Sequence, residues 1–257
     1  MQLTVIGMEL EEFATRLRQY RDIVFFTGAG ISTESGVPDF RSPGGVWTKY
    51  QPVYFQDFIA SEAARIRHWQ LKKSTYELYK KVQPNIGHYA IRDFEKRGKL
   101  LGLITQNIDG LHGISGVSVK KIVELHGTDR LVTCLECGKR FEPASVYETL
   151  GDNFAAPTCD ACGGLLKSAN VSFGQQMPVQ AMQQAQAWSE AAAVFIVLGS
   201  SLQVQPAASF PVIAKRSGAL LAIINRNETP LDELADFIHR GAIGEFFEKL
   251  GPLLSDA

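Results

Sequence analysis

The stretch Asp22-Ile23-Val24-Phe25-Phe26-Thr27-Gly28-Ala29-Gly30-Ile31-Ser32-Thr33-Glu34-Ser35-Gly36-Val37-Pro38-Asp39-Phe40-Arg41 sets the reading of the whole chain. Its apolar opening has the length and lack of alternation of a strand buried on both faces of a parallel sheet. Gly28 and Gly30 let the backbone turn tightly and approach a ligand closely. The residues after them can open a helix whose first N–H groups would face a phosphate. This is the arrangement of a dinucleotide site at the end of a first strand. The match to G-x-G-x-x-G is incomplete, because Thr33 holds the place of the third glycine. The residues that follow make a plain turn the weaker reading. Arg41 suits phosphate charge, Phe40 can cover a ring, and Asp39 is a polar anchor.

Working outward, the chain of 257 residues is long enough for one large domain with a smaller one. A hydrophobic content of 45% supports a sizeable core and argues against disorder. A net charge of −1 argues against a dominant nucleic-acid or anionic-membrane surface. No stretch approaches the roughly 18 apolar residues of a membrane span. The opening residues lack the basic flank of a secretory signal, so a cytoplasmic location is expected.

Apolar strands are expected over 22–26, 100–105, 121–125, 193–198 and 219–224. Helices are expected over 9–20, 88–96, 178–192, 206–216 and 244–254. This alternation predicts a doubly wound, mostly parallel α/β sheet. Each strand ends in small or polar residues: Thr27-Gly28, Thr105-Gln106-Asn107, His126-Gly127, Gly199-Ser200-Ser201 and Asn225-Arg226. Ligands of such sheets sit beyond the carboxyl ends of the strands, so the five segments should converge on one crevice. Residues 42–85 form an aromatic-rich helical insertion whose rings mainly fill a core.

All four cysteines fall in one region, as Cys134-x-x-Cys137 and Cys159-x-x-Cys162. Two pairs of thiolates, each followed by a glycine that permits a tight knuckle, make a closed tetrahedral zinc site. With no open coordination position, that zinc is structural. Gln106, Asn107 and Asp109 offer amide and carboxylate groups to sugar hydroxyls and a carboxamide, or Asp109 caps the next helix. His126, at a strand end beside Gly127, is placed to act as a general base. His112 is better read as packed or hydrogen-bonded. No acid stands at an obvious strand end about 20 residues after the glycine loop, so Asn225 would have to serve the ribose.

Taken together, Gly28–Ser32, Gly36–Arg41, Thr105–Asp109, Leu125–Gly127, the paired cysteines, Ser172–Gly174 and Gly199–Ser201 resemble the sirtuins, NAD-dependent protein lysine deacylases. The resemblance covers nearly the whole chain. It implies a Rossmann-like NAD-binding domain from residues 1–41, 86–127 and 171–257. A small domain would combine the helical insertion 42–85 with the zinc-binding module 128–170. It implies that His126 is the base and that Asn107, with Gln106 and Asp109, holds the ribose and nicotinamide. Ala29, Asp39, Phe40 and Arg41 would surround the nicotinamide end; Ser200, Asn225 and Ala242 would contact the remainder, with Gly28, Gly30, Gly199 and Ser201 completing the cofactor site. An acyl-lysine peptide would add as a strand between Val171-Ser172-Phe173-Gly174 and the segment near Gln203-Val204. The products would be free lysine, nicotinamide and acyl-ADP-ribose. The alternatives are ADP-ribosyl transfer to protein and NAD hydrolysis at the same site. Lys167-Ser168 and Gly174-Gln175 stand where many relatives carry Lys-Pro and Gly-Glu. Trp69-x-x-Lys72 stands near the Tyr-x-x-Arg pair of desuccinylating relatives, and Lys72 could pair an acidic acyl group, though not in a bidentate way. Acetyl or longer apolar acyl groups are the expected cargo.

Overall fold

The computed structural model describes residues 8–39, 45–150 and 155–255, without the side chains of Trp47, Lys49 and Ser255. Its strands are β1 (Ile23–Thr27), β2 (Leu100–Thr105), β3 (Ile122–Glu124), β4 (Gly127–Cys134), β5 (Arg140–Phe141), β6 (Leu166–Asn170), β7 (Val194–Leu198), β8 (Leu220–Ile224) and β9 (Phe237–His239). Six of them form a sheet in the order β3-β2-β1-β7-β8-β9. Every pairing in it is parallel. The chain builds outward from β1 to β3, returns to the other side of β1, and builds outward again. The order therefore reverses between β1 and β7, where a doubly wound sheet opens a crevice.

Alternation along β1 explains why all five of its residues are buried. Ile23 and Phe25 face one layer, with Phe13, Leu17, Ile91, Phe94, Phe246 and Leu250. Val24 and Phe26 face the other, with Phe195, Val197, Phe210 and Ala214. Helices Leu10–Gln19, Ile86–Lys96 and Ile243–Ser255 cover the first face; Val179–Ala191 and Ser209–Arg216 cover the second. Both faces are dry, as the unbroken apolar runs required.

A second, antiparallel sheet has the order β5-β4-β6. Its apolar cluster centres on Trp69 of helix Glu62–Tyr79 and includes Val132, Tyr147, Leu166 and the thiol residues Cys134 and Cys159. Of the aromatics in the first insertion, Phe58, Trp69 and Tyr79 are core residues, whereas Tyr50 and Tyr54 are exposed.

Two details differ from the sequence reading. The glycine loop opens a short 3-10 helix, Ala29–Ser35, which ends at Gly36 with φ +89°. Ser32 and Thr33 direct their hydroxyls to Asp109 and to the Gly30 carbonyl, local bonds that do not favour a long helix. A sixth strand, β9, also joins the sheet; its three residues are too few to give a periodic signal.

Candidate active site

The crevice beyond β1 and β7 has a volume of about 400 Å³. Gly28, Ala29, Gly30 and Asp39 line it from the first loop, and Gln106, Asn107 and His126 from the loops after β2 and β3. Gly199, Ser200, Ser201 and Asn225 line it from the loops after β7 and β8. Segments far apart in sequence thus meet at one sheet edge. Phe40 and Arg41 lie outside the described residues. Ala242 is flanked by two lining residues, Gly241 and Ile243, without being among them.

The two loops at the strand reversal interlock. The Gly28 N–H donates to the Leu198 carbonyl at 3.0 Å, and the Gly30 N–H to the Gly199 carbonyl at 2.9 Å. A Cβ at Gly28 or Gly30 would come within 2.7 Å of Gly199 backbone atoms. Both glycines are thus required by the neighbouring loop, a constraint beyond the ligand approach expected from the sequence.

His126 is half-buried in the turn between β3 and β4. Its Nδ1 lies 3.0 Å from the Gln106 carbonyl. A carbonyl only accepts, so Nδ1 carries the hydrogen and Nε2 is the basic nitrogen of the neutral ring. The Gln106 side chain reaches across the crevice and donates from Nε2 to Ser200 Oγ at 2.9 Å. Asn107, 5% exposed, donates from Nδ2 to Ser32 Oγ at 3.1 Å and to Asp109 Oδ2 at 3.4 Å.

Asp109 is not among the residues lining the crevice, but it lies directly behind Asn107. Its Oδ1 accepts the Leu111 N–H at 2.9 Å and its Oδ2 accepts the Ser32 hydroxyl at 2.7 Å. It is a buried cap that locks Asn107 against the 3-10 helix. Burial pushes its carboxyl pKa up, against the pull of those bonds and of Arg130. His112 is packed as expected, with Nε2 2.9 Å from Thr27 Oγ1.

Thr33, Glu34, Asn227, Glu228, Gly241 and Ile243 also line the crevice and escaped the sequence reading. Glu34 accepts the Gly244 N–H on both carboxylate oxygens at 3.1 Å, tying the 3-10 helix to helix Ile243–Ser255. Gly241 follows the unrecognised β9; its neighbour Arg240-Gly241 turn was the available strand-end signal.

The Sir2 family model matches residues 28–206. An NAD-dependent protein deacetylase of Rhodopseudomonas palustris is 45% identical over 247 residues, covering 96% of each chain. The chain belongs to the Sir2 family. NAD-dependent protein deacetylase 1 of Bradyrhizobium diazoefficiens is 44% identical, again over 96% of each chain. A solved structure, "Sir2-p53 peptide-NAD+", superposes with a TM-score of 0.86 at 35% identity, covering 95% of this chain and all of that one.

In this Sir2 chain the crevice suits a dinucleotide: it lies at the strand-order reversal and is lined by small residues and amides. The four cysteine sulfurs lie within 4.8 Å of one another. Cys134 and Cys162 sulfurs are 3.5 Å apart, and Cys137 and Cys159 sulfurs 3.7 Å. Tetrahedral zinc with bonds of about 2.3 Å would space sulfurs about 3.8 Å apart, so the cluster fits one structural zinc.

Two features of the structure bear on the substrate side. Lys72 is buried, and its Nζ lies 2.8 and 2.6 Å from the two carboxylate oxygens of Asp129, itself buried. Withdrawing it to pair an acyl group would strand a buried carboxylate, so it is committed. In the segment 171–174, the Val171 N–H donates to the His126 carbonyl at 2.7 Å. The chain then turns at Phe173-Gly174, with the Ser172 N–H held by Gln175 Oε1 at 3.1 Å. Two backbone donors of the segment are thus already bonded, Val171 to the His126 turn and Ser172 to Gln175.

Proposed function

We propose that this chain is an NAD-dependent protein lysine deacylase, acting on acetyl or longer apolar acyl-lysine. The observation that carries the reading is the hydrogen-bonded line His126–Gln106–Ser200 across the crevice at the strand-order reversal. The names of the relatives, NAD-dependent protein deacetylases, support the same activity. When bound, NAD would supply an electrophilic ribose carbon with nicotinamide as its leaving group.

The roles follow from the chain's own groups. His126, its Nδ1–H fixed on Gln106, accepts a proton at Nε2 from a ribose hydroxyl. Asn107, oriented by Ser32 and Asp109, holds the ribose and nicotinamide with Gln106. Gly28, Ala29, Gly30, Asp39, Phe40 and Arg41 enclose the nicotinamide end; Gly199, Ser200, Ser201, Asn225 and Ala242 hold the rest. Asp109 serves through Asn107. The acyl-lysine peptide docks along Val171–Gly174. Residues 1–41, 86–127 and 171–257 form the NAD-binding domain; 42–85 and 128–170 form the small one. The commitment of Lys72 to Asp129 favours uncharged acyl groups over succinyl. Among the described residues, no helix is long and apolar enough to cross a membrane. Clustered thiols fit a reducing cytoplasm.

Mass spectrometry after incubation with NAD and an acetyl-lysine peptide tests the reading. Deacetylated peptide and acyl-ADP-ribose in equal amounts are expected; free ADP-ribose or modified protein alone would overturn it. His126→Ala should keep NAD affinity and lose at least about 100-fold in turnover, the scale of a removed general base.

A further inference from the structure

Beneath residues 171–174 lies a polar cluster that the proposed chemistry leaves unused. Lys167 of β6 is 1% exposed. Its Nζ donates to the Asn170 carbonyl at 2.6 Å, to Asn170 Oδ1 at 3.0 Å and to the Ser168 carbonyl at 3.2 Å. These are neutral oxygens. Burial, reinforced by the Lys72 ammonium and opposed by Asp129, pushes Lys167 down to about 7. As ammonium or as amine, the group donates to the oxygens around it.

The donor inventory gives this cluster a direction. Lys167 turns the oxygen of the Asn170 amide toward itself. The Ser168 hydroxyl donates its single hydrogen to the same oxygen at 2.9 Å, and lies 3.1 Å from His68 Nε2. His68 Nε2 must therefore carry a hydrogen and donate to Ser168. A neutral ring suffices, and burial with the Lys72 and Lys167 charges holds the His68 pKa well below its usual value. The bonds run from helix Glu62–Tyr79 through Ser168 to Asn170, and from Lys167 to the same residue.

Asn170 ends β6 and is paired with Gly127, the residue after His126. The contact is close: a Cβ on Gly127, where φ is +66°, would come 2.2 Å from the Ala169 carbonyl oxygen. One residue further, the Val171 N–H bonds the His126 carbonyl at 2.7 Å. The end of β6 and the His126 turn are thus packed backbone to backbone.

We infer that Lys167 is a positioning residue: by gripping Asn170 it holds the His126 turn and the segment that receives the acyl peptide in one fixed relation. The inference rests on the deacylase reading for its consequence, and on the contacts alone for its mechanics. Lys167→Met tests both. Hydrogen exchange of the Val171 amide, the KM for an acetyl-lysine peptide and the Kd for NAD are the three readouts. Val171 protection should fall about tenfold and peptide KM rise about tenfold, with NAD affinity within about twofold of wild type, the scale of a lost bond to a charged group. Unchanged Val171 protection would overturn the inference. So would NAD affinity and peptide KM worsening in parallel, the mark of general destabilisation. Should Lys167→Met not fold, Asn170→Ala removes the side-chain acceptor but keeps the 2.6 Å bond to the main-chain carbonyl. A smaller fall in Val171 protection and rise in peptide KM is then expected, and unchanged protection would again overturn the inference. If the wild-type chain does not turn over the peptide, the deacylase reading fails, while the exchange result still decides the mechanics.

Discussion

His88 and His112 stand 4.8 Å apart, ring centre to ring centre, in the interior behind the crevice. His88 Nδ1 belongs to a capping box with Asn85, and His112 Nε2 to Thr27. The remaining nitrogens, His88 Nε2 and His112 Nδ1, have no hydrogen-bond partner among the described residues. Burial pushes His88 down to about 4, and His112 well below its usual value, where the neighbouring His88 adds to the effect. Between about pH 6.5 and 4 these two imidazoles therefore bind more protons in the unfolded chain than in the folded one. Their contribution to stability falls as pH drops through that window, by on the order of 3 kcal/mol for His88 alone, while Glu124, raised by burial to about 7, acts in the opposite direction. Urea midpoints measured across it should fall less steeply in His88→Gln than in wild type. Equal slopes would show that His88 is not held neutral. At the same scale, Asp109 illustrates a residue type that sequence could name but not place. A carboxylate two residues after Asn107 suited either ligand or cap. Its bonds to Ser32 and Leu111 make it the cap.

At the scale of elements, the loops after β1 and β7 hold each other. Gly199 has φ +62°, and a Cβ there would come 2.5 Å from the Ile31 nitrogen. Gly199→Ala adds steric overlap to left-handed strain, and should cost about 3 kcal/mol. Gly218, with φ +95° and nothing within 4 Å of a Cβ, isolates the strain. Gly218→Ala should cost only about 1 kcal/mol and leave NAD affinity alone. Thermal midpoints and NAD binding of the pair check this; equal losses would mean that the interlock adds nothing. The glycines of the first loop were legible as a turn. Their partner was not, because Gly199 is far away in sequence and meets them only after β7 pairs with β1.

At the scale of the molecule, the antiparallel β5-β4-β6 sheet has its own apolar cluster, in which Cys134 and Cys159 are buried while Cys137 and Cys162 are exposed. The cluster is small, and crosslinking by metal replaces the area it lacks. Chelation should therefore melt this sheet at a lower temperature than the six-stranded one, giving two calorimetric transitions where the zinc-loaded protein gives one. Cys159→Ser should do the same without chelator. A single unchanged transition in both would count against a structural metal.

What the sequence alone determined is whatever depends on neighbours along the chain: the buried strands, from their unbroken apolar runs; the thiol pairs, from their spacing; and His126, Gln106 and Asn107 as polar groups at strand ends. Those signals are local because burial and ligation act on short segments. Tertiary structure decided which groups remain available. Lys72 looked free to meet an acyl group until the fold set Asp129 against it. Asp109 read equally as ligand or cap, and only the fold set Ser32 within 2.7 Å of it. Glu34 carried no signal until Gly244 presented its amide. Hydrogen bonds and ion pairs use up valences, and their partners lie across the fold, brought together only when the sheet and its helices pack.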